Sequence, residues 1–244
     1  MSHTGPVVAL VVAAGSGVRF EQTSTATPKA LRLLGGRSLL VHALERLYAG
    51  GVTVSVVVVP ESTRGLFEAV LTEAFAAQRW RIVLGGTERQ DSVRNGLSYL
   101  DNDPQLSAAT VVLIHDAARP LVPPAVVASV IDAVEAGALA VVPVVPVVDT
   151  VRRVGTGPST VVDRAALRAV QTPQGFDRVT VTRAHAEIAR VKIAVTDDAA
   201  ACEHAGHLVQ LVDGDRSSIK ITEPIDLIVA EALLDAARRP GSAV

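Results

Sequence analysis

Residues 7–17 read VVALVVAAGSG, and the architecture can be built outward from them. Residues 7–13 are apolar without interruption. A strand with one wet face alternates apolar and polar residues, whereas a strand covered on both faces does not need to. The run therefore predicts a fully buried strand that ends in a glycine turn at Gly15 and Gly17. It is too short to span a bilayer and has no basic leader before it, so neither a membrane helix nor a signal peptide is expected.

The same reading extends along the chain. Residues 38–50 place Leu40, Ala43, Leu44 and Leu47 at helical spacing and stop at Gly50 and Gly51. VTVSVVVV (52–59) reads as a second strand closed by Pro60, followed by a helix over 62–77 and a strand at RIVLG (81–85). A helix over 88–100, a strand at TVVLIHD (110–116), a helix from near Pro124 and a strand at LAVVPVV (139–145) continue the pattern. This alternation predicts an α/β fold, Rossmann-like, with a mostly parallel sheet and helices on both faces. Residues 146–170 break it: they alternate, carry a Gly-Thr-Gly-Pro turn and have no helical period, which predicts a projecting β-arm. The last helix is expected over 223–239 with Pro224 in its first turn. No repeat or linker interrupts 1–244, so one domain with an arm at about 146–170 is expected.

Composition excludes several roles. Hydrophobic residues make up 49 % of the 244, enough for a large core, but aromatics are only 3 %, too few for a base-stacking platform. A net charge of −2 without a basic stripe argues against nucleic-acid binding. The single cysteine, Cys202, cannot form an intrachain disulfide, which fits a reducing, cytoplasmic setting. Cys202, His204 and His207 do not make a metal site, because 202 and 204 face different sides of a helix; they read as solvated residues at a helix end.

Ligands of open α/β sheets bind beyond the carboxyl ends of the strands. Three loops follow strands here. In AAGSGVR (13–19), Gly15 and Gly17 let backbone amides approach a ligand, and Ala13 and Ala14 leave room for a base or a phosphate. The loop is neither a complete GxGxxG fingerprint nor a Walker A motif. Arg19 and Lys29 add two cations suited to a triphosphate, and Pro28 fixes the backbone before Lys29. In GGTERQDS (85–92), Gly86 permits close approach while Arg89 and Ser92 offer donors; Thr87 could also simply cap the helix, with Asp91 in its first turn. In HDAARP (115–120), Asp116 can accept from ribose hydroxyls or bind hydrated Mg²⁺, or it can be a structural partner of Arg119. Thr150, Arg164, Thr172 and Thr196 are polar points with bland readings as well: Thr196 before two acids looks like an N-cap, and Thr172-Pro173 like a turn. Lys220 alternates with Ile219 and Ile221, as on a strand.

Together AAGSGVRF (13–20), PKA (28–30), GGTERQDSV (85–93), HDAARP (115–120), PVVDTVRR (146–153), VDRAALRAVQTPQGF (162–176), TDDA (196–199) and IKIT (219–222) resemble the 2-C-methyl-D-erythritol 4-phosphate cytidylyltransferase family of the non-mevalonate isoprenoid pathway. The resemblance spans nearly the whole chain. It implies a nucleotidyltransferase fold with a β-arm, CTP and a polyol phosphate as substrates, and a divalent metal such as Mg²⁺. It implies that Arg19 and Lys29 stabilise the transition state at the α-phosphorus and that Arg164 and Lys220 hold the acceptor phosphate. Ala14, Gly15, Gly17, Gly86 and Ser92 would sit at the cytosine and phosphates, Asp116 and Ala117 near the ribose and metal. Thr150, Thr172 and Thr196 would line the acceptor site. It further implies a homodimer whose arms reach across, so that Thr150 and Arg164 act in trans. The chain departs from the family in having Ala30 where glutamine is common, and in a longer loop between Arg19 and Lys29, a change that costs little free energy. No fused cyclase domain is expected beyond the last helix.

The chemistry so implied needs no activated nucleophile, since a phosphate monoester with a second pKa near about 6 is already mostly dianionic. Other readings are the same transfer to another acceptor such as ribitol 5-phosphate, a sugar-1-phosphate nucleotidyltransferase, an NAD(P)-dependent oxidoreductase, or a non-catalytic nucleotide-binding protein. The missing third glycine, and the lack of an acid well placed after the second strand, disfavour the oxidoreductase.

Overall fold

The computed structural model describes residues 5–14 and 27–238. Its centre is one twisted sheet. Five strands run parallel: β1 (Val8–Val12), β4 (Val54–Val59), β5 (Trp80–Leu84), β6 (Val111–Asp116) and β7 (Ala140–Pro146), numbered after the small hairpin of β2 (Leu33–Leu34) and β3 (Arg37–Ser38). Between them lie α1 (Leu39–Ala49), α2 (Arg64–Ala74), α3 (Arg89–Asn102) and α4 (Pro124–Glu135). Then β8 (Val151–Arg153) and β9 (Thr160–Val162) pair, among the described residues, only with each other, as a short antiparallel hairpin. The chain returns through β10 (Arg168–Val170) and β11 (Gln174–Asp177), both antiparallel to β7 along one edge, and β11 wedges between β7 and β6. The helices α5 (Arg178–Arg190) and α6 (Asp198–His204) follow, then β12 (Gln210–Asp213), parallel to β7 on its other edge, and α7 (Pro224–Arg238).

Both faces of this sheet are covered, and β1 shows why its sequence is apolar throughout. Val7, Ala9 and Val11 feed one core with Leu40, Leu44 and Leu47 of α1 and Val127 and Ile131 of α4. Val8 and Leu10 feed the opposite core with Val93, Leu97 and Leu100 of α3 and Val181 and Ile188 of α5. Each fully buried aliphatic side chain contributes roughly 1.5–3 kcal/mol of transfer free energy, so two layers need a strand with no polar alternates. The close approach of α3 to β1 is made at Gly96, where a Cβ would stand 3.2 Å from both Leu10 methyl carbons. A third, smaller core joins Leu34, Leu39, Leu121, Ile221 and Leu234, and seats α7 on the β2–β3 hairpin.

The mostly parallel sheet read from the sequence is present, with local corrections. Ser38 caps α1 by accepting from the Val41 amide at 3.2 Å, and Gly50 ends it. The cap of α3 is Glu88, not Thr87, and Asp91 accepts from the Glu88 amide at 3.1 Å. Asp197, not Thr196, caps α6, accepting from the Ala200 amide at 3.0 Å. Residues 219–221 form no strand; the Ile221 amide donates to the Ala118 carbonyl at 2.8 Å instead, and Ile221 still buries its side chain while Lys220 is exposed. Cys202 is not solvated but wholly buried in the second core, because α6 turns that face inward. No helix among the described residues is long and apolar enough to cross a membrane.

Candidate functional site

A cleft of about 300 Å³ opens beyond the carboxyl ends of β1, β5 and β6. Its walls include Ala13 and Ala14 after β1, Lys29 and Ala30 on a short 3-10 helix, Gly86 to Arg89 and Ser92 after β5, Asp116 to Ala118 after β6, and Lys220. Small residues floor it because the strand ends approach closely. A Cβ on Gly85 would stand 2.6 Å from the Ala14 Cβ and 2.9 Å from the Ser92 hydroxyl oxygen. The Ser92 hydroxyl braces this turn: it accepts from the Gly86 amide at 3.1 Å and donates to the Glu88 carbonyl at 3.2 Å.

Asp116 is the centre of the charge arrangement. Lys220 Nζ lies 2.7 Å from its Oδ2, and Arg89 Nε lies 3.4 Å from its Oδ1. Burial alone would raise the Asp116 carboxyl; the charges of Arg89 and Lys220 outweigh it and hold the group far below the usual carboxylate range. Arg89 is in turn tied to a second carboxylate, with Nη2 donating to Asp198 Oδ2 at 2.7 Å. Burial opposes the guanidinium charge, but Asp198 first and Asp116 second raise its pKa still further. At the start of α7, the Thr222 and Glu223 amides, and more weakly the Lys29 charge, hold the Asp226 carboxyl down against burial.

A neutral network fixes Asp116 from behind. Its amide donates to Thr172 Oγ1 at 3.1 Å. Thr172 Oγ1 also lies 3.1 Å from His115 Nδ1, and His115 Nε2 lies 3.1 Å from the Arg119 carbonyl. A carbonyl only accepts, so Nε2 carries the proton, Nδ1 is bare, and the threonine hydroxyl donates to it. Complete burial pushes the His115 pKa down to about 4, so the ring is neutral in the ordinary range.

The cleft thus brings together Ala13, Ala14, Lys29, Gly86, Arg89, Ser92, Asp116, Ala117 and Lys220 of the residues singled out from the sequence. Gly15, Gly17 and Arg19 lie outside the described residues. Thr172 stands behind Asp116 with its hydroxyl buried. Thr196 is exposed at the bend before α6, two residues from Asp198. Thr150 and Arg164 do not line the cleft: both are exposed at the base of the β8–β9 hairpin, where Arg164 donates to the Val148 carbonyl. Arg119 is not the salt-bridge partner of Asp116; it donates to the Ser218 and Val170 carbonyls at 2.7 and 3.2 Å and so ties three segments together. The sequence reading took Asp198 only as a first-turn acid and missed its tie to Arg89, since an acid in the first turn of a helix already has a sufficient local explanation.

Three lining cations, Lys29, Arg89 and Lys220, face two carboxylates, Glu88 and Asp116, so the cleft favours an anion. No thiol, hydroxyl or imidazole among the lining residues is paired as an activated nucleophile. The arrangement suits binding and neutralising phosphates.

Among known protein families, a model described as IspD, 2-C-methyl-D-erythritol 4-phosphate cytidylyltransferase, matches residues 7–236. The 2-C-methyl-D-erythritol 4-phosphate cytidylyltransferase of Streptomyces coelicolor is 46 % identical over 237 residues, covering 93 % of this chain and 84 % of that one. The protein of the same description from Rhodococcus jostii is 43 % identical over 238 residues, covering 95 % and 96 %. Among solved structures, 4-diphosphocytidyl-2C-methyl-D-erythritol synthase from Anaerococcus prevotii superposes with a TM-score of 0.80 at 27 % identity, covering 95 % and 96 %. The 2-C-methyl-D-erythritol 4-phosphate cytidylyltransferase of Thermus thermophilus superposes at 0.74 with 32 % identity, covering 93 % and 98 %.

Proposed function

This chain belongs to the 2-C-methyl-D-erythritol 4-phosphate cytidylyltransferase family, and we propose that its transfer chemistry takes place in the cleft around Asp116. The enzyme transfers CMP from CTP to 2-C-methyl-D-erythritol 4-phosphate and releases pyrophosphate. The observation that carries the assignment of the site is the convergence of Arg89 and Lys220 on one ionised carboxylate, Asp116, in a cleft that Lys29 also lines, beyond three strand ends.

In this reading an oxygen of the acceptor phosphate attacks the α-phosphorus of CTP in line with the departing pyrophosphate. One P–O bond forms, the bond from the α-phosphorus to the bridging oxygen breaks, and no proton need move, because the attacking dianion is already deprotonated. Lys29, with Arg19, neutralises charge on the pentacoordinate phosphorus, and Lys220, with Arg164, holds the acceptor phosphate. Ala13, Ala14, Gly15, Gly17, Gly86, Arg89, Ser92, Asp116 and Ala117 form the CTP side. Thr150, Thr172 and Thr196 serve the acceptor side, Thr172 from behind Asp116.

The donor set fits Mg²⁺ in one way only. Asp116 is ionised at the cleft, but both its oxygens face cations, and no cluster of three metal-ligating side chains occurs among the described residues. Phosphate oxygens and water would supply most ligands, with Asp116 as the protein's contribution. When bound, such an ion neutralises and orients phosphate oxygens.

We extend the proposal to the assembly. The whole chain acts as one nucleotidyltransferase domain, and the arm at about 146–170 reaches the cleft of a second copy. What supports this is that Thr150 and Arg164 do not line their own chain's cleft, and that Val148, Val154 and Val161 of the arm are exposed. The single buried Cys202 suits a reducing, cytoplasmic setting.

The test is pyrophosphate release with CTP and 2-C-methyl-D-erythritol 4-phosphate, added singly and together. Release is expected only with both. No release with both, or equal efficiency with ribitol 5-phosphate, would overturn the reading.

A further inference from the structure

We propose that Asp198, buried at the start of α6, is a positioning residue for this reaction that acts through Arg89 on the CTP side of the cleft. The inference rests on the site assignment just made and adds a residue that does not touch the cleft.

Asp198 is 0 % exposed. Its Oδ2 takes the Arg89 Nη2 donor at 2.7 Å, and its Oδ1 faces His185 Nε2 at 3.2 Å, off the line of a hydrogen bond. A carboxylate withdrawn from water loses several kcal/mol of hydration, so a buried ion pair is a weak stabiliser compared with an apolar residue of similar size. What the pair does provide is geometry. Arg89 borders two spaces, the cleft on one side and a smaller cavity of about 160 Å³ on the other, lined also by Glu88, Gln90, Ala194 and Val195. A guanidinium between two spaces can turn toward either unless one end is anchored. Asp198 anchors Nη2, which turns Nε toward Asp116 and leaves Nη1 without a partner among the described residues. The fork is rigid and planar, so fixing one edge fixes the others.

The anchor is itself held. Gln174 on β11 donates to Asp197 Oδ2 at 2.8 Å and accepts from the Ala199 amide at 3.1 Å, clamping the residues on both sides of Asp198 to the central sheet. A continuous line of contacts therefore runs from the sheet through Asp198 and Arg89 to Asp116 and Lys220. Asp198 sets where the CTP-side donors stand before the nucleotide arrives, and it reaches the acceptor side only at second hand, through Asp116 to Lys220.

The experiment is steady-state kinetics of Asp198→Asn with both substrates, beside thermal melting. Expected is an increase of about tenfold or more in the KM for CTP, with the KM for the acceptor within about twofold of wild type, the range of one displaced charged contact. In an Arg89→Lys background the second substitution should add little, because the fork it acts on is gone. Asp198→Ser, smaller and still an acceptor, carries the same test should the asparagine variant fail to fold. An unchanged KM for CTP would overturn the inference, as would losses that only track the folded fraction or that multiply independently with Arg89→Lys. An inactive wild type would instead defeat the site assignment itself, so the two failures are distinguishable.

Discussion

Replacing His115 with glutamine should flatten the acid side of this protein's stability curve. The ring is completely enclosed, its Nδ1 accepts from Thr172 and its Nε2 donates to the Arg119 carbonyl, so protonation would put a second N–H against a hydroxyl already in use. Burial lowers its pKa from 6.5 to about 4. Between those values the unfolded chain binds the proton and the folded chain does not, so stability rises with pH across that window and is lost as pH falls through it. At about 1.4 kcal/mol per pH unit, going from pH 7 to pH 5 removes roughly 2 kcal/mol. For a chain of this size that is a fall of about 4–8 °C in Tm. Asp116, held low by its cations, contributes in the same direction but at lower pH, below its unfolded value of 3.8. Glutamine can keep the donor to the Arg119 carbonyl but leaves the Thr172 hydroxyl unmatched, at a cost of about 1–3 kcal/mol at every pH. Urea unfolding of both proteins at pH 7 and pH 5 is the assay. Glutamine should start less stable yet lose about 2 kcal/mol less over the interval; equal losses in the two proteins would refute the reasoning.

Three other outcomes are expected. Lys29→Ala should lower kcat/KM by about 10²–10³-fold, the scale of one charge-stabilising contact in a transition state, and near-normal turnover at saturating substrates would remove it from that role. Gly85→Ala forces a Cβ to 2.6 Å from the Ala14 Cβ, and should cost about 1–3 kcal/mol of stability and weaken CTP binding; a calorimetric titration matching wild type would contradict it. The Cys202 thiol, pushed up to about 12 by burial and neighbouring carboxylates, should resist a thiol reagent at pH 8 in the native protein and react fully in denaturant, and rapid native labelling would show that α6 opens.

The fold was legible where burial dictates composition. The run at 7–13 has no polar alternates because β1 feeds two cores, and the strand-end rule led from it to the three strand ends beyond which the cleft opens. Pairing was less legible. Arg119 stands three residues from Asp116 and carries the right charge, yet its guanidinium goes to the Ser218 and Val170 carbonyls, which would otherwise be left without it. The partners that Asp116 does take come from α3 and from the segment before α7, and nothing local announces them. Thr196 and Asp197 can both cap a helix; which one does depends on how the chain enters α6, a tertiary matter. Cys202 was misread because a seven-residue helix has too little periodicity to show its buried side.

The cations of the cleft differ in how freely they can respond to a ligand. Lys220 is 44 % exposed, and its pairing with Asp116 is worth no more than about 1 kcal/mol once solvent screening is allowed for. A charge-assisted contact to a phosphate is worth about 1.5–3 kcal/mol, so an arriving polyanion can draw Lys220 away from Asp116. Arg89 has no such freedom, because releasing it would break a buried ion pair and leave the Asp198 carboxylate with only the His185 ring beside it, at a cost of about 3–5 kcal/mol. One cation is thus free to follow the substrate while the other stays as a fixed reference, and the difference follows from the burial of their carboxylate partners, not from the residues' own charges.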